Sequence, residues 1–233
     1  MEFPGMFPFS SKEGAMKKVS FFLATLIFVL GVTGVAWSAL YHGVEFPDGA
    51  ASFADAVFSF DPVVNSGQPG AAYLEPLEAV GIPDYPEGPT LGYVSLGDGG
   101  SITLRFTDNS LTGSGDANLD LWIFEIGPDV EDTFVAISKD SIMWYDVGKV
   151  FGSISGIDID FFGWDQTDYF SYVRLTDDGN EGAQTGETVG ADIDAIGAIS
   201  SAPPVNAVPE PSSVFLLGIG LLGLLGFGRK IRR

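Results

Sequence analysis

Ser101-Ile102-Thr103-Leu104-Arg105-Phe106-Thr107 alternates without a break. Ile102, Leu104 and Phe106 fall on one face, and Ser101, Thr103, Arg105 and Thr107 on the other. A period of two marks a strand with one buried and one solvated face. Leu119 to Ile126 differs, because Leu121 and Ile123 oppose Trp122 and Phe124. Apolar residues on both faces belong to a central strand in a two-layer core. Further strands are predicted over Thr133 to Ser138, Met143 to Val147, Tyr169 to Leu175 and Asp192 to Ile199. Lys139-Asp140-Ser141 supplies a turn, and Ile157, Ile159 and Phe161 alternate with Asp158 and Asp160. Repeated strands with Gly/Asp turns between them predict an all-β, antiparallel β-sandwich. Thr176 to Val189 reads as a polar, Gly-rich loop.

Leu40 to Gly92 carries Pro62, Pro69, Pro76, Pro83, Pro86 and Pro89, and no helical period survives there. Ala56 to Phe60 is expected as an edge strand, and Leu74 to Val80 as one helical turn. Met16-Lys17-Lys18, the apolar run Val19 to Val35 and Ala36-Trp37-Ser38 read as a signal peptide cleaved before Ala39, using the Sec export machinery. An uncleaved signal anchor is the alternative. Met16 is the expected start, with Met1 to Ala15 an upstream extension.

The opposite end has three parts: the collar Val208-Pro209-Glu210-Pro211-Ser212-Ser213, the uncharged run Val214 to Phe227, and the cations Arg229, Lys230, Arg232 and Arg233. Cations after an apolar run form a membrane stop and stay cytoplasmic, so the chain before Val214 is expected outside. From Val214 to Phe227 a helix reaches about 21 Å, short of a hydrocarbon core of roughly 30 Å. Snorkelling of the basic side chains extends the reach, so the segment spans marginally. Pro209 and Pro211 hold Glu210 on an extended backbone that a protease can read.

Pro209-Glu210-Pro211, the Leu/Gly-rich span and Arg229-Lys230 together resemble the PEP-CTERM sorting signal of exported bacterial proteins. That resemblance implies processing by an exosortase, an integral membrane cysteine protease of Gram-negative bacteria that make extracellular polysaccharide. It also implies an inner-membrane-anchored precursor and a mature form in the cell envelope or outside the cell. An ordinary C-terminal anchor that is never cut is the alternative. A GPI signal normally lacks the basic end. The expected organisation is residues 1–38 for extension and signal helix, 39–200 for the sandwich, 201–213 for a Pro-rich linker with the motif, and 214–233 for the transmembrane helix and basic tail.

Within the sandwich, Val135-Ala136-Ile137-Ser138-Lys139-Asp140-Ser141-Ile142-Met143-Trp144, Tyr172-Val173-Arg174-Leu175 and Ala191-Asp192-Ile193-Asp194-Ala195-Ile196 resemble strands of discoidin-like, galactose-binding-like jelly rolls. Ser141 stands where that family usually has Gly. The resemblance implies a jelly-roll-like fold, frequently a structural Ca²⁺, and sometimes glycan binding at the loops.

Charge and composition exclude several functions. The chain has a formal net charge of −20 and no cysteine. Between Ala39 and Val208 only Arg105, Lys139, Lys149 and Arg174 face 28 acids. Such a surface repels nucleic acid and anionic lipid and attracts cations. Absence of cysteine excludes disulfides and thiolate metal sites in this chain.

Asp116, Asn118 and Asp120 place oxygen donors at every second position after Gly113-Ser114-Gly115. The EF-hand pattern fails, because Leu121 and Gly127 stand where Gly and Glu are needed. Asp192 and Asp194 are expected on one strand face about 7 Å apart, as are Asp158 and Asp160. Each pair is then hydrated or bridged by a cation, and structural Ca²⁺ is the expected ion. The competing reading is turn-forming residues on a solvated face.

No catalytic residue is assigned. His42 is the single histidine and lacks a recognisable triad partner. Chance pairs among so many carboxylates carry little weight for a glycoside hydrolase, the remote alternative. Trp144, Trp164, Tyr169 and Tyr172 are candidates for sugar stacking, with Trp164 foremost and exposed. Trp122 is expected in the core. The reading is an exported, non-catalytic structural or binding protein. A carbohydrate-binding module for exopolysaccharide is the alternative.

Overall fold

A computed structural model describes residues 38–86, 91–126, 131–182 and 185–205. The signal segment, the sorting motif and the membrane stop lie outside the described residues. Among the described residues no helix is long and apolar enough to cross a membrane.

Thirteen strands run in chain order among the described residues. They begin with β1 (Ala39–Tyr41), β2 (Val44–Phe46), β3 (Ala56–Asp61) and β4 (Val94–Ser95). The middle of the chain gives β5 (Ser101–Arg105), β6 (Ser110–Leu111), β7 (Leu121–Glu125), β8 (Thr133–Ser138) and β9 (Tyr145–Val150). The last are β10 (Ile154–Ile157), β11 (Tyr172–Asp177), β12 (Asp192–Ala198) and β13 (Ser201–Ala202). Two antiparallel sheets carry the fold, a five-stranded β3-β5-β11-β8-β9 and a four-stranded β10-β7-β12-β4.

The alternation of the quoted stretch holds. Ile102, Leu104 and Phe106 are fully buried, and Leu104 lies opposite Val173, which lies opposite Ile137. These meet Leu121, Ile123, Ile193 and Ile196 of the other sheet in one core. Each such side chain contributes about 1.5–3 kcal/mol by leaving water. β7 sits inside its sheet, as two apolar faces require. Its second face is covered by a smaller aromatic cluster of Phe46, Phe53 and Phe124, with Tyr41, Val44 and Trp122 packed around it. A Cβ on Gly197 of β12 would come within 2.6 Å of the Phe46 ring, so only glycine admits this layer.

The β1–β2 hairpin that supplies the layer falls in a stretch expected to be loop-rich. His42 and Gly43 form its turn, with φ of 47° and 88°. Two consecutive left-handed residues are the turn that suits the twist of paired strands. β3 is an edge strand, and Pro76–Ala79 forms a single 3-10 turn, both as expected.

Four boundaries differ. β9 starts at Tyr145 because the Asp140 carboxylate accepts from both Ile142 N and Met143 N, at 2.9 Å each, and prolongs the turn. Ser141 there has φ 64°, in the left-handed region that favours glycine. β11 starts at Tyr172, not Tyr169. The alternation through Phe161 ends at Ile157, because Asp158 Oδ1 accepts from Phe161 N and folds a 3-10 turn over Asp160–Phe162. Phe161 is left 82% exposed. β13 pairs with β6, so the folded sandwich continues into the expected linker. Val205 N donates to Ser110 Oγ at 3.1 Å.

Candidate functional site

Three groups of acids emerge, and each meets its charge differently. The first forms where β7 and β10 begin and end. Leu121 pairs with Ile157, so the residues just outside, Asp120 and Asp158, fall side by side. The 3-10 turn adds Asp160, and carboxylate oxygens of the three lie within 4.8 Å of one another. Asp120 is fully buried; its carboxylate accepts from Ile159 N at 2.9 Å and Ser200 Oγ at 2.7 Å. Burial raises its pKa. Asp160 Oδ2 accepts from Gly115 N at 3.1 Å and Ser114 Oγ at 3.3 Å. Gly113 is required here, since a Cβ would lie 2.7 Å from the Asp160 carboxylate. Three oxygens of this kind form a hard donor set suited to Ca²⁺.

Of the expected donors, Asp120 and the Asp158/Asp160 pair enter this group, while Asp116, Asn118, Asp192 and Asp194 do not. Asp116 Oδ1 accepts from Asn118 N at 2.8 Å, so both residues close their own loop. Asp192 and Asp194 lie at the other end of β12, beside β4 and Asp84. A bulge between Ile193 and Ala195 breaks the expected shared face. Neither is a hydrated surface group. Asp192 accepts from Ser95 Oγ, and Asp194 Oδ1 accepts from Asp84 N at 3.2 Å. Both are nearly inaccessible to solvent, and burial pushes each up to about 7.

The second group adjoins Asp192 and contains Glu125, Glu131 and Asp177, all buried. Glu131 N donates to Glu125 Oε1 at 3.0 Å. Burial pushes Glu125 far above the usual carboxylate range, and Glu131 reinforces the shift. Asp177 accepts from Gly99 N and Ala191 N, both at 2.8 Å. Burial still raises its pKa. Burial thus disfavours full ionisation of Glu125 and its neighbour Asp192.

The third group, Asp132, Asp178 and Glu181, already contains a cation. Lys149 Nζ contacts Asp132, Asp178 at 2.6 Å and Glu181 at 3.5 Å. Lys149 holds Asp178 down to about 2.

The aromatic candidates separate likewise. Trp164 is half-buried, not exposed, because its ring packs on Tyr145 at 4.5 Å and on Phe170 at 5.3 Å. Lys139 Nζ lies 5.6 Å from its centroid. Tyr169 is exposed and lines an open hollow of about 420 Å³ with Ser114, Gln166 and Ser201. Trp144 and Tyr172 belong to another surface and each stacks beneath an arginine, at 4.4 Å for Arg174 on Trp144 and 5.5 Å for Arg105 on Tyr172. Nothing in the sequence signalled that pairing except the outward register of Arg105. His42 borders a cavity of about 260 Å³ with Tyr85, Glu125 and Asp194. Among the described residues no hydroxyl or carboxylate hydrogen-bonds its ring, so no triad forms around it.

Residues 207–233 match the PEP-CTERM protein-sorting motif. The chain is thus an exported protein bearing the signal that an exosortase processes. No curated protein matches the chain. Among solved structures it is similar to the C-terminal domain of a chitobiase from Bacteroides fragilis, at 11% identity and a TM-score of 0.33. That similarity covers 64% of this chain and 93% of the other.

Proposed function

We propose that the mature protein is a non-catalytic component of the cell envelope or extracellular matrix, delivered by exosortase processing at Pro209-Glu210-Pro211. The observation that carries this reading is the sorting motif of residues 207–233 following a cysteine-free β-sandwich. Intact-mass measurement on fractionated native cells tests it. The wild-type product is expected without residues 1–38 and without the basic tail. Glu210→Ala, or serine at Arg229, Lys230, Arg232 and Arg233, is expected to leave unprocessed precursor at the inner membrane. Recovery of wild-type protein from the cytosol with its tail attached overturns the reading.

A second reading is a carbohydrate-binding module for the host's own exopolysaccharide. The exposed aromatic side chains of the five-stranded sheet, Phe58 and Phe134, favour it.

One structural Ca²⁺ is proposed at Asp120, Asp158 and Asp160, which joins one donor of the expected Asp116-Asn118-Asp120 loop to the Asp158/Asp160 pair. The convergence of three carboxylates without an intervening lysine supports it. Calcium is expected to raise the melting temperature by several degrees in the wild-type chain, and Asp158→Asn with Asp160→Asn to remove the increment. A melting curve that EDTA leaves unchanged rules the ion out.

A further inference from the structure

The outer face of the five-stranded sheet gathers cations and aromatic rings. Inner positions of β5, β11 and β8 go to Leu104, Val173 and Ile137, so Arg105, Tyr172 and Arg174 point outward. Arg105 lies directly opposite Tyr172, and Arg174 opposite Thr103 on β5 and Ala136 on β8. Phe58 of the edge strand is 51% exposed and meets the Tyr172 ring edge-on at 5.0 Å. Phe134 of β8 is 47% exposed on the same face.

The two guanidiniums are anomalous in so acidic a domain. Lys139 and Lys149 both sit on carboxylates. Among the described residues neither Arg105 nor Arg174 forms an ion pair or donates a side-chain hydrogen bond. Arg105 Nε is moreover buried without a partner. Each guanidinium carbon lies over an aromatic ring, at 5.5 Å for Arg105 on Tyr172 and 4.4 Å for Arg174 on Trp144. Arg105 Nε is enclosed, so its two Nη groups present the fork, while no guanidinium nitrogen of Arg174 is enclosed; such a fork grips a carboxylate with two parallel bonds. Two arginines that no described carboxylate engages are suited to an acid from outside the chain.

We infer that this sheet face binds an acidic glycan, with uronic-type carboxylates in the Arg105 and Arg174 forks and sugar C–H faces against Phe58, Tyr172 and Trp144. The inference rests on the carbohydrate-binding reading and gives it a place and a charge class. The domain's negative charge disfavours a dense polyanion. The ligand therefore carries isolated carboxylates separated by neutral sugars.

The test uses the full chain in detergent and affinity electrophoresis through polygalacturonate of graded methyl esterification. Partly esterified polymer is expected to bind best, and full esterification to weaken binding at least tenfold. Arg105→Gln and Arg174→Gln each weaken it at least fivefold, and Arg174→Lys does the same because the stacked fork is lost. Phe58→Ala, on an exposed edge position, weakens it about threefold and serves where an arginine variant fails to fold. Full affinity in a folded double arginine variant overturns the inference, as does equal binding of the fully esterified polymer or of polyglutamate. If Trp164→Ala then abolishes binding, the carbohydrate reading survives at a different surface. If neither these polymers nor the host's own polysaccharide binds, both readings fall.

Discussion

Raising the pH from 5 to 9 lowers the melting temperature of this domain by about 10 °C. The groups responsible are Glu125, Asp192 and Asp194, all pushed up by burial. Their folded-state pKa values lie above those of the unfolded chain, so the folded form holds protons that the unfolded form releases. The stability they contribute is complete below the unfolded carboxylate range. It declines as pH rises through about 7 for Asp192 and Asp194, and higher still for Glu125. Moving one carboxyl from its ordinary range to about 7 corresponds to ~4 kcal/mol. Relaxation and water entry around the ionised group reduce this to about 1–2 kcal/mol per site. Asp178 works in the opposite direction: Lys149 holds it near 2, so its contribution is present above the unfolded carboxylate range and lost as pH falls towards 2. Maximum stability therefore lies in mild acid. Calorimetry at constant ionic strength measures the slope, and Asp192→Asn with Asp194→Asn should flatten it. A melting temperature that rises from pH 5 to 9 contradicts the assignment.

Phe53→Ala is expected to cost about 3–5 kcal/mol in urea denaturation. Phe53 is almost wholly buried, and its ring meets Phe46 at 4.6 Å, Tyr41 at 5.0 Å and Phe124 at 6.0 Å. Removing it opens a cavity between the N-terminal hairpin and the outer face of β7 and β12. Amide exchange should therefore accelerate first in β1 and β2, while β5, β8 and β11 keep their protection. A loss below about 1 kcal/mol, or uniform acceleration across both sheets, would sink this account of the aromatic layer.

The sandwich was legible where burial is one-sided. Ile102, Leu104 and Phe106 announce β5 through their period alone. The two apolar faces of Leu119 to Ile126 announced an interior strand, yet not what covers Trp122 and Phe124. The covering strands are three residues each, too short for any period to register. Asp120 and the Asp158/Asp160 pair were each legible as donors, but their meeting was not. It follows from the pairing of Leu121 with Ile157, which no local pattern reveals. Asp192 and Asp194 misled because a bulge, invisible in composition, separates them. Trp164 looked exposed among Gly163, Asp165 and Gln166, while its ring was claimed by Tyr145 and Phe170, nineteen and six positions away in the chain.

The β13–β6 pairing and the Val205–Ser110 bond hold the chain to the sandwich as far as Val205. From Val205 to Pro209 a fully stretched backbone reaches at most about 14 Å. Covalent geometry therefore keeps Pro209 within that distance of Val205. Any protease that cuts there must tolerate a rigid, strongly anionic bulk almost touching its mouth, which selects for a shallow catalytic entrance and against a deep one.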